Sequence, residues 1–568
     1  MLFILFSWLY ILTCTFIVGV GFKQIIGIRK INTVTLLFFG FFGIILFAGF
    51  WAIFFAINWQ FHGVFFVLTS ILYILNIEQV KLLFLAFKKN ILQLSPFFKI
   101  LLAFITFFIL AQCASPPYII DNESYYIQTI KWLNEYGFVK GLANLHMFLG
   151  QTSGWHILQS VFNFSFIYDN FNDLSGLALL IGNYYAFLKL NDYLFNNKKS
   201  IENLIIGLLP LFNIFFFQFI SAPSPDIPIY IIGFIIFYQF IKNYTTFSKD
   251  VFITISLLAI FATLIKLTAI IFCVFPLVFF IKHFTNLKKA FTGVFIIGTT
   301  TLLLFIIKNS IITGNPLYPL PSNGLLTADW ELPKPLESFF LDQTKYYGYF
   351  TTVLEYNNTS AFYLFKKWLF LPKLHGLFNK LMVIIIIITP LFFIKKKVDK
   401  PMVIIYLVSI LNMAVLFCTS PQYRFFFVFL AVLILWLLAA TFLKRKKIIY
   451  TGMMLSLFIT AIPLFYPIKL SQLTNNDFHL DLSHFTIAYF IKPHKNSQYS
   501  NRSETLQVEN TIINSPTNID FFWGTGDVKL PALKKEQLEY FKKYFRIIPQ
   551  QRTKYLKDGF YSKVIADE

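Results

Sequence analysis

The sequence predicts an all-α polytopic membrane protein, and three observations carry that prediction. Hydrophobic residues make up 57% of the 568 residues and charged residues only 13%, more apolar surface than a soluble domain of this length needs. About fourteen apolar runs of membrane-spanning character can be drawn, at 2–20, 33–55, 62–78, 97–115, 174–190, 203–220, 227–241, 251–264, 268–281, 291–308, 381–394, 401–418, 425–442 and 449–466. Basic residues fall in alternate connections between them. These are Lys23, Arg29 and Lys30, then Lys81, Lys88 and Lys89, then Lys198 and Lys199, then Lys242 and Lys249. Lys282, Lys288 and Lys289 follow, then Lys395, Lys396 and Lys397, and finally Lys444, Arg445, Lys446 and Lys447. With the N-terminus outside, all of them lie on one side, as the positive-inside rule requires. The net charge of +21 is thereby explained by topology, and no nucleic-acid partner is expected. Membrane lipids are the expected surroundings, with contact between the basic tail and anionic lipid left open.

Taken in order, Met1–Val20 lacks a basic n-region and a small-residue cleavage site, so it reads as a retained span. Cys14, Cys113, Cys273 and Cys418 lie in or beside apolar runs without metal-ligand spacing, which predicts small core residues and no disulfide framework. The first long polar segment is 116–173, opening on YIIDNESYY from Tyr118. Ile127, Ile130, Leu133 and Tyr136 recur there at helical spacing, with Gly137 as the stop. The 251–281 run is too long for one span and carries Lys266 near its middle, so it divides into two short segments with Lys266 at the turn. The expected domains are 1–466, the membrane part with outer loops 116–173, 221–226, 309–380 and 420–424, and 467–568, a tail or small α/β domain outside the membrane. Within that tail, 533–545 predicts a helix.

The chemistry gathers on the side opposite the basic connections. Asp121 is a candidate general base held at the membrane surface; its simpler reading is a cap for a helix beginning near Ser124. Glu123 makes with it an acidic D-x-E pair suited to orienting an acceptor or to holding a divalent cation, Mg or Mn. Asp226, in SAPSPDIP, is either a site residue or an ordinary turn aspartate. Lys266, an ionisable group in an apolar run, either contacts a lipid phosphate or snorkels. Arg424, in SPQYRF, offers a guanidinium fork for a phosphate or an interfacial anchor. His146 and Asn144 add an imidazole and an amide in the first loop, and GNPLYP at 314–319 makes a rigid loop that would place Tyr318 at the pocket. No P-loop, dinucleotide fingerprint, HExxH or GxSxG motif accompanies them.

The DNE just past an early exit, Asp226, GNPLYP and Tyr423–Arg424 together resemble the GT-C superfamily, polytopic glycosyltransferases that include aminoarabinose transferases and protein mannosyltransferases. WLNEYGFVKGLANLH at 132–146 with TSGW at 152–155 looks like an uncharacterised GT-C-like membrane family of bacteroidete type. The resemblance covers 119–424. It implies a GT-C-like bundle in the bacterial inner membrane, using a polyprenyl-phosphate-linked sugar donor and a glycan or lipid acceptor on the periplasmic face. It also implies that Asp121 is the catalytic acidic residue, with Glu123 as partner and Lys266 and Arg424 facing phosphate. An exporter, flippase or polymerase of lipid-linked polysaccharide is the competing reading; the scarcity of ionisable groups within the spans counts against transport.

Overall fold

The computed structural model describes residues 1–117, 119–168, 171–196, 200–322, 324, 327–395, 399–442, 445–466, 470–474 and 484–565. The sequence expectations placed on Tyr118, Lys198, Lys199, Lys396, Lys397 and Lys444 lie outside the described residues.

The chain is mostly helical, as its apolar runs require. The first five helices are α1 (Leu2–Ile26), α2 (Thr33–Ala52), α3 (Trp59–Leu75), α4 (Ile77–Leu92) and α5 (Pro96–Ala114). The polar segment that follows holds two short helices, α6 (Ile127–Glu135) and α7 (Gly154–Val161). Next come α8 (Leu174–Leu194), α9 (Ile201–Gly207), α10 (Asn213–Phe216), α11 (Asp226–Asn243), α12 (Lys249–Ile265), α13 (Val274–Lys282) and α14 (Phe284–Thr313). A second polar stretch carries α15 (Lys334–Tyr349), α16 (Val353–Asn358) and α17 (Ala361–Leu369), before α18 (Lys373–Lys395), α19 (Lys400–Cys418), α20 (Tyr423–Phe442) and α21 (Lys446–Phe465).

Among the described residues nine helices are long and apolar enough to cross a membrane, or ten if α3 and α4, bent by 87°, form one span. The expected count of about fourteen is not confirmed by these helices. The difference has a physical origin. The helices α8 and α11 are buried along most of their length by neighbouring helices, so they need not be apolar on every face. The 251–281 run breaks at Lys266, whose extended backbone (φ −151°, ψ 122°) ends α12 as the sequence predicts, leaving two pieces of modest length. Close packing sets α1 against α2: a Cβ on Gly40 would collide with the Thr15 carbonyl and one on Gly19 with that of Leu36.

The connections sort to two ends of the bundle. At the basic end, the Arg29 and Lys30 amides donate to the Asp250 carboxylate at 3.2 and 3.0 Å, and Lys446 donates to the Leu194 carbonyl at 2.9 Å. There too, the Ser95 amide donates to the Asn191 side chain at 2.9 Å. At the other end, Asn134 donates to the Ile57 carbonyl at 2.7 Å and Trp330 to that of Ser310 at 2.9 Å. Trp368 donates to the Pro421 carbonyl at 2.7 Å, and Ser420 to that of Thr344 at 2.7 Å. Loops 309–380 and 420–424 therefore meet each other, loop 116–173 meets the α2–α3 connection, and none of them meets the basic connections in these contacts.

The tail is not all helical. A hairpin of β1 (Ser503–Val508) and β2 (Thr511–Pro516) pairs antiparallel with Ser503 opposite Pro516. After a four-residue helix at Leu470–Leu473 and these strands comes the predicted tail helix, Lys535–Phe545, followed by a second antiparallel pair, β3 (Ile547–Gln551) and β4 (Phe560–Val564). Of the cysteines, Cys14 and Cys113 are buried as expected, Cys273 is half-buried and Cys418 is exposed at a helix end, contrary to the core reading; all four are free thiols.

If the two ends face opposite sides of a membrane, cysteines placed at exposed Lys88 and Lys447 will react with an impermeant maleimide from one side only. Cysteines at Lys535 and Asp558 will react from the other. Labelling of all four from one side would overturn this arrangement.

Candidate functional site

Two ion pairs join four segments at the end opposite the basic connections. Asp121 lies seven residues past the end of α5, where residues 122–126 make a wide helical turn into α6. Its side chain caps nothing there. It reaches instead across 303 positions of sequence, accepting from Arg424 Nη1 at 2.7 Å. Asp226, at the first turn of α11 and 2% exposed, pairs with Lys266 at the break after α12. One Asp226 oxygen accepts from Lys266, and the other, Oδ2, has no hydrogen-bond partner among the described residues.

The two pairs share a ring. Lys266 Nζ lies 4.3 Å and the Arg424 guanidinium 5.1 Å from the centre of Phe425. Arg424 is aimed by its own turn: Nε donates to Gln422 Oε1 at 3.0 Å, and its carbonyl accepts from Tyr230 at 2.9 Å. Asp226, Tyr230, Lys266, Thr268, Arg424 and Phe425 line a small cleft between the pairs. Two carboxylates and two cations bring the cluster to electrical neutrality. Arrangement of this kind lets charges sit in a low-dielectric place, because each is offset by a near neighbour and by charge-assisted hydrogen bonds. An anion entering the cleft would compete with the carboxylates for both cations.

The helices after α14 support the turn that carries Arg424. Tyr349 on α15 donates to the Phe417 carbonyl at 2.7 Å, and Trp368 on α17 holds Pro421. Leu354 on α16 and Phe362 on α17 are each 76% exposed.

The remaining expected site residues serve a different purpose: they hold the tail. The Glu123 carboxylate accepts from Ser497 Oγ at 2.6 Å, the Gln498 amide at 3.0 Å and Asn122 at 3.2 Å. Its backbone carbonyl accepts from the amides of Thr525 and Gly526, both at 2.8 Å. This corrects the D-x-E reading, since Asp121 faces Arg424 while Glu123 faces the tail. Among the described residues no three His, Cys, Asp or Glu side chains gather in the manner of a metal site. His146 is buried with Nε2 3.3 Å from both the Trp523 carbonyl and the Gln537 amide nitrogen, and burial lowers its pKa to about 4. Asn144 donates to the Trp330 carbonyl at 2.9 Å and accepts from Ser562 at 2.7 Å. Tyr318 is buried in an apolar cluster with Met147, Leu336, Phe340 and Ile547. Asn144, His146 and Tyr318 are thus packing residues of the loop–tail junction in this structure.

Sequence reasoning missed His156 and Lys308. His156 is fully buried on α7, 4.6 Å from the Tyr126 ring, with Nε2 lacking a partner among the described residues. Burial, and then the positive charge of Lys308, lower its pKa to about 3, while Asp121 acts in the opposite sense. Lys308, buried near the end of α14, donates to the Thr152 carbonyl at 2.7 Å. The signal for His156 was the Ser153–His156 spacing of a capping box, which the structure forms.

A bundle of long apolar helices with two ion pairs gathered at one end has the build of a polytopic membrane protein with a polar site at the surface of its helical core. The chain belongs to the family described as Domain of unknown function (DUF8201), whose model matches residues 1–431. That match contains both ion pairs and stops short of the tail. No curated protein matches the chain, and no solved structure does.

Two outcomes follow for the site. Lys266→Met leaves the buried Asp226 carboxylate unpaired and is expected to cost about 3–5 kcal/mol, whereas adding Asp226→Asn recovers most of that loss; thermal unfolding of the purified variants reads both. For the tail, burial raises the Glu123 pKa from 4.5 to about 7, against the three donors that oppose it. A carboxyl raised on folding contributes most below its unfolded value and loses that contribution as pH rises towards 7. Glu123→Ala should therefore expose the 484–565 region to limited proteolysis, while Glu123→Gln keeps it docked and flattens the pH dependence of cleavage between 4.5 and 7.

Proposed function

We propose that the protein is an inverting glycosyltransferase that moves a sugar from a polyprenyl-phosphate-linked donor to a glycan or lipid acceptor. The fold in this reading is a GT-C-like bundle of the bacterial inner membrane whose charged end faces the periplasm. One observation carries the reading: a carboxylate, Asp121, held at 2.7 Å by an arginine that sits beside a second cation, Lys266, over one aromatic ring.

That geometry supplies what the transfer needs. The acceptor hydroxyl oxygen attacks the anomeric carbon, its proton passes to the Asp121 carboxylate, and the bond from that carbon to the phosphate oxygen breaks. The electron pair leaves with the polyprenyl phosphate, whose growing negative charge Arg424 and Lys266 neutralise. The same cations bind Asp121 and Asp226 before substrate arrives. Donor phosphate would exchange for the carboxylates, freeing Asp121 as the base at the moment it is required. Glu123 has no part in this chemistry; it fixes the loop that carries Asp121.

The reading is tested by Asp121→Asn at matched protein level. Loss of transfer by about 10²–10⁴-fold is expected, with donor accumulating and the surface glycan truncated. An unchanged glycan would overturn the assignment and move lipid-linked polysaccharide export ahead of it.

A further inference from the structure

A second polar chamber lies at the basic end of the bundle, remote in the fold from the charged cleft and independent of the chemistry proposed for it. It lies between the start of α2, the end of α4 and the last two turns of α8, with a volume of about 110 Å³. One bound water needs only roughly 10–15 Å³ by the same measure, so the space exceeds a single solvent site several-fold. The lining is polar: Tyr184, Tyr185, Lys189 and Asp192 from α8, with Asn90 and Gln93 from α4 and its exit.

The Tyr184 and Tyr185 hydroxyls carry the argument. The two residues are 6% and 2% exposed; the Tyr184 hydroxyl faces the Asn90 side chain, and the Tyr185 hydroxyl has no hydrogen-bond partner among the described residues. A buried phenol left in that state costs free energy unless a ligand or solvent meets it. Both rings are fixed by packing, Tyr184 edge-on to Phe87 of α4 at 5.4 Å and Tyr185 edge-on to Tyr238 at 5.6 Å. Lys189 and Asp192, three residues apart on one helix, give the lining one charge of each sign.

The mouth has the character of a membrane interface. α4 turns 87° from α3, and its outward positions mix exposed Leu82, Leu85 and Leu92 with exposed Lys81, Lys88 and Lys89. A helix of that composition suits the interface plane. Leu92 and Phe195, 62% and 50% exposed, adjoin the polar Gln93 and Asn196 at the rim, so apolar and polar surface meet there as head group and acyl chain do.

We propose that this chamber binds the head group of a zwitterionic phospholipid of the phosphoethanolamine class, with the phosphate towards Lys189, the ammonium towards Asp192 and hydrogen bonds from both tyrosine hydroxyls. A head group with no ammonium, such as that of phosphatidylglycerol, offers Asp192 no cation. Purified full-length protein, delipidated and then offered phosphatidylethanolamine or phosphatidylglycerol, is read by native mass spectrometry. Phosphatidylethanolamine should be retained about tenfold better, and the Tyr184→Phe/Tyr185→Phe double variant, which preserves the ring packing, should lose that preference with its melting temperature nearly unchanged. Lys189→Gln should lose it as well. Equal retention of both lipids, or a preference unaffected by the phenol deletions, overturns the proposal and assigns the chamber to water. Binding of free O-phosphorylethanolamine without any lipid preference overturns the lipid source and leaves a soluble ligand.

Discussion

The structure depends on neutralising charge at one end of an apolar bundle. Asp226 is nearly inaccessible, and a carboxylate in that position without a cation would be untenable in a chain of this composition. Lys266 answers it, and Arg424 answers Asp121, so four segments far apart in sequence are bound by two short electrostatic contacts. Phe425 lies beneath both cations and keeps them side by side. The cost of this arrangement is a set of groups that cannot be removed singly. Its consequence is a cleft already neutral at rest, in which any incoming anion must exchange with a carboxylate.

The tail extends the same logic by hydrogen bonding. Among the described residues its strands form two-stranded pairs, which gain stability by packing against other elements. Glu123, Gln128 and Lys131 join the tail to the membrane part: Gln128 donates to the carbonyls of Gly526 and Val528 at 3.0 Å each, and Lys131 pairs with Asp527 at 2.7 Å. The segment between α5 and α8 is therefore two-sided. One face presents Asp121 to the cleft while the other receives the tail, which couples the position of the candidate base to the docking of a region nearly 400 residues away.

Much of the fold was legible because its signals are local. Apolar runs mark the helices, basic connections mark one end, and Lys266 marks the break in 251–281. Tyr136–Gly137 marks the end of α6, where Gly137 takes the left-handed φ of 78°. The span count was less legible, since apolar runs such as 174–190 and 227–241 become α8 and α11, helices packed among others in the bundle and less apolar than the long spans. Among site residues, Asp121, Asp226, Lys266 and Arg424 stood out as charges at apolar boundaries, and the structure brings them together. Glu123, Asn144 and His146 stood out as polar groups of the first outer loop, yet they face the tail. Residue type alone could not separate the two groups, because the partners of one lie in helices and those of the other in a domain with a weak signal of its own.

The sequence by itself determined that this is a membrane protein, which connections gather at its basic end and which charges must be compensated. Those properties follow from the cost of placing polar groups in an apolar medium, which each segment bears locally. Only the tertiary structure decided which carboxylate meets which cation, that Glu123 holds the tail, and that Tyr184 and Tyr185 line a polar chamber. Those choices rest on contacts between side chains tens to hundreds of residues apart, set by the packing of helices whose sequences carry no record of their neighbours.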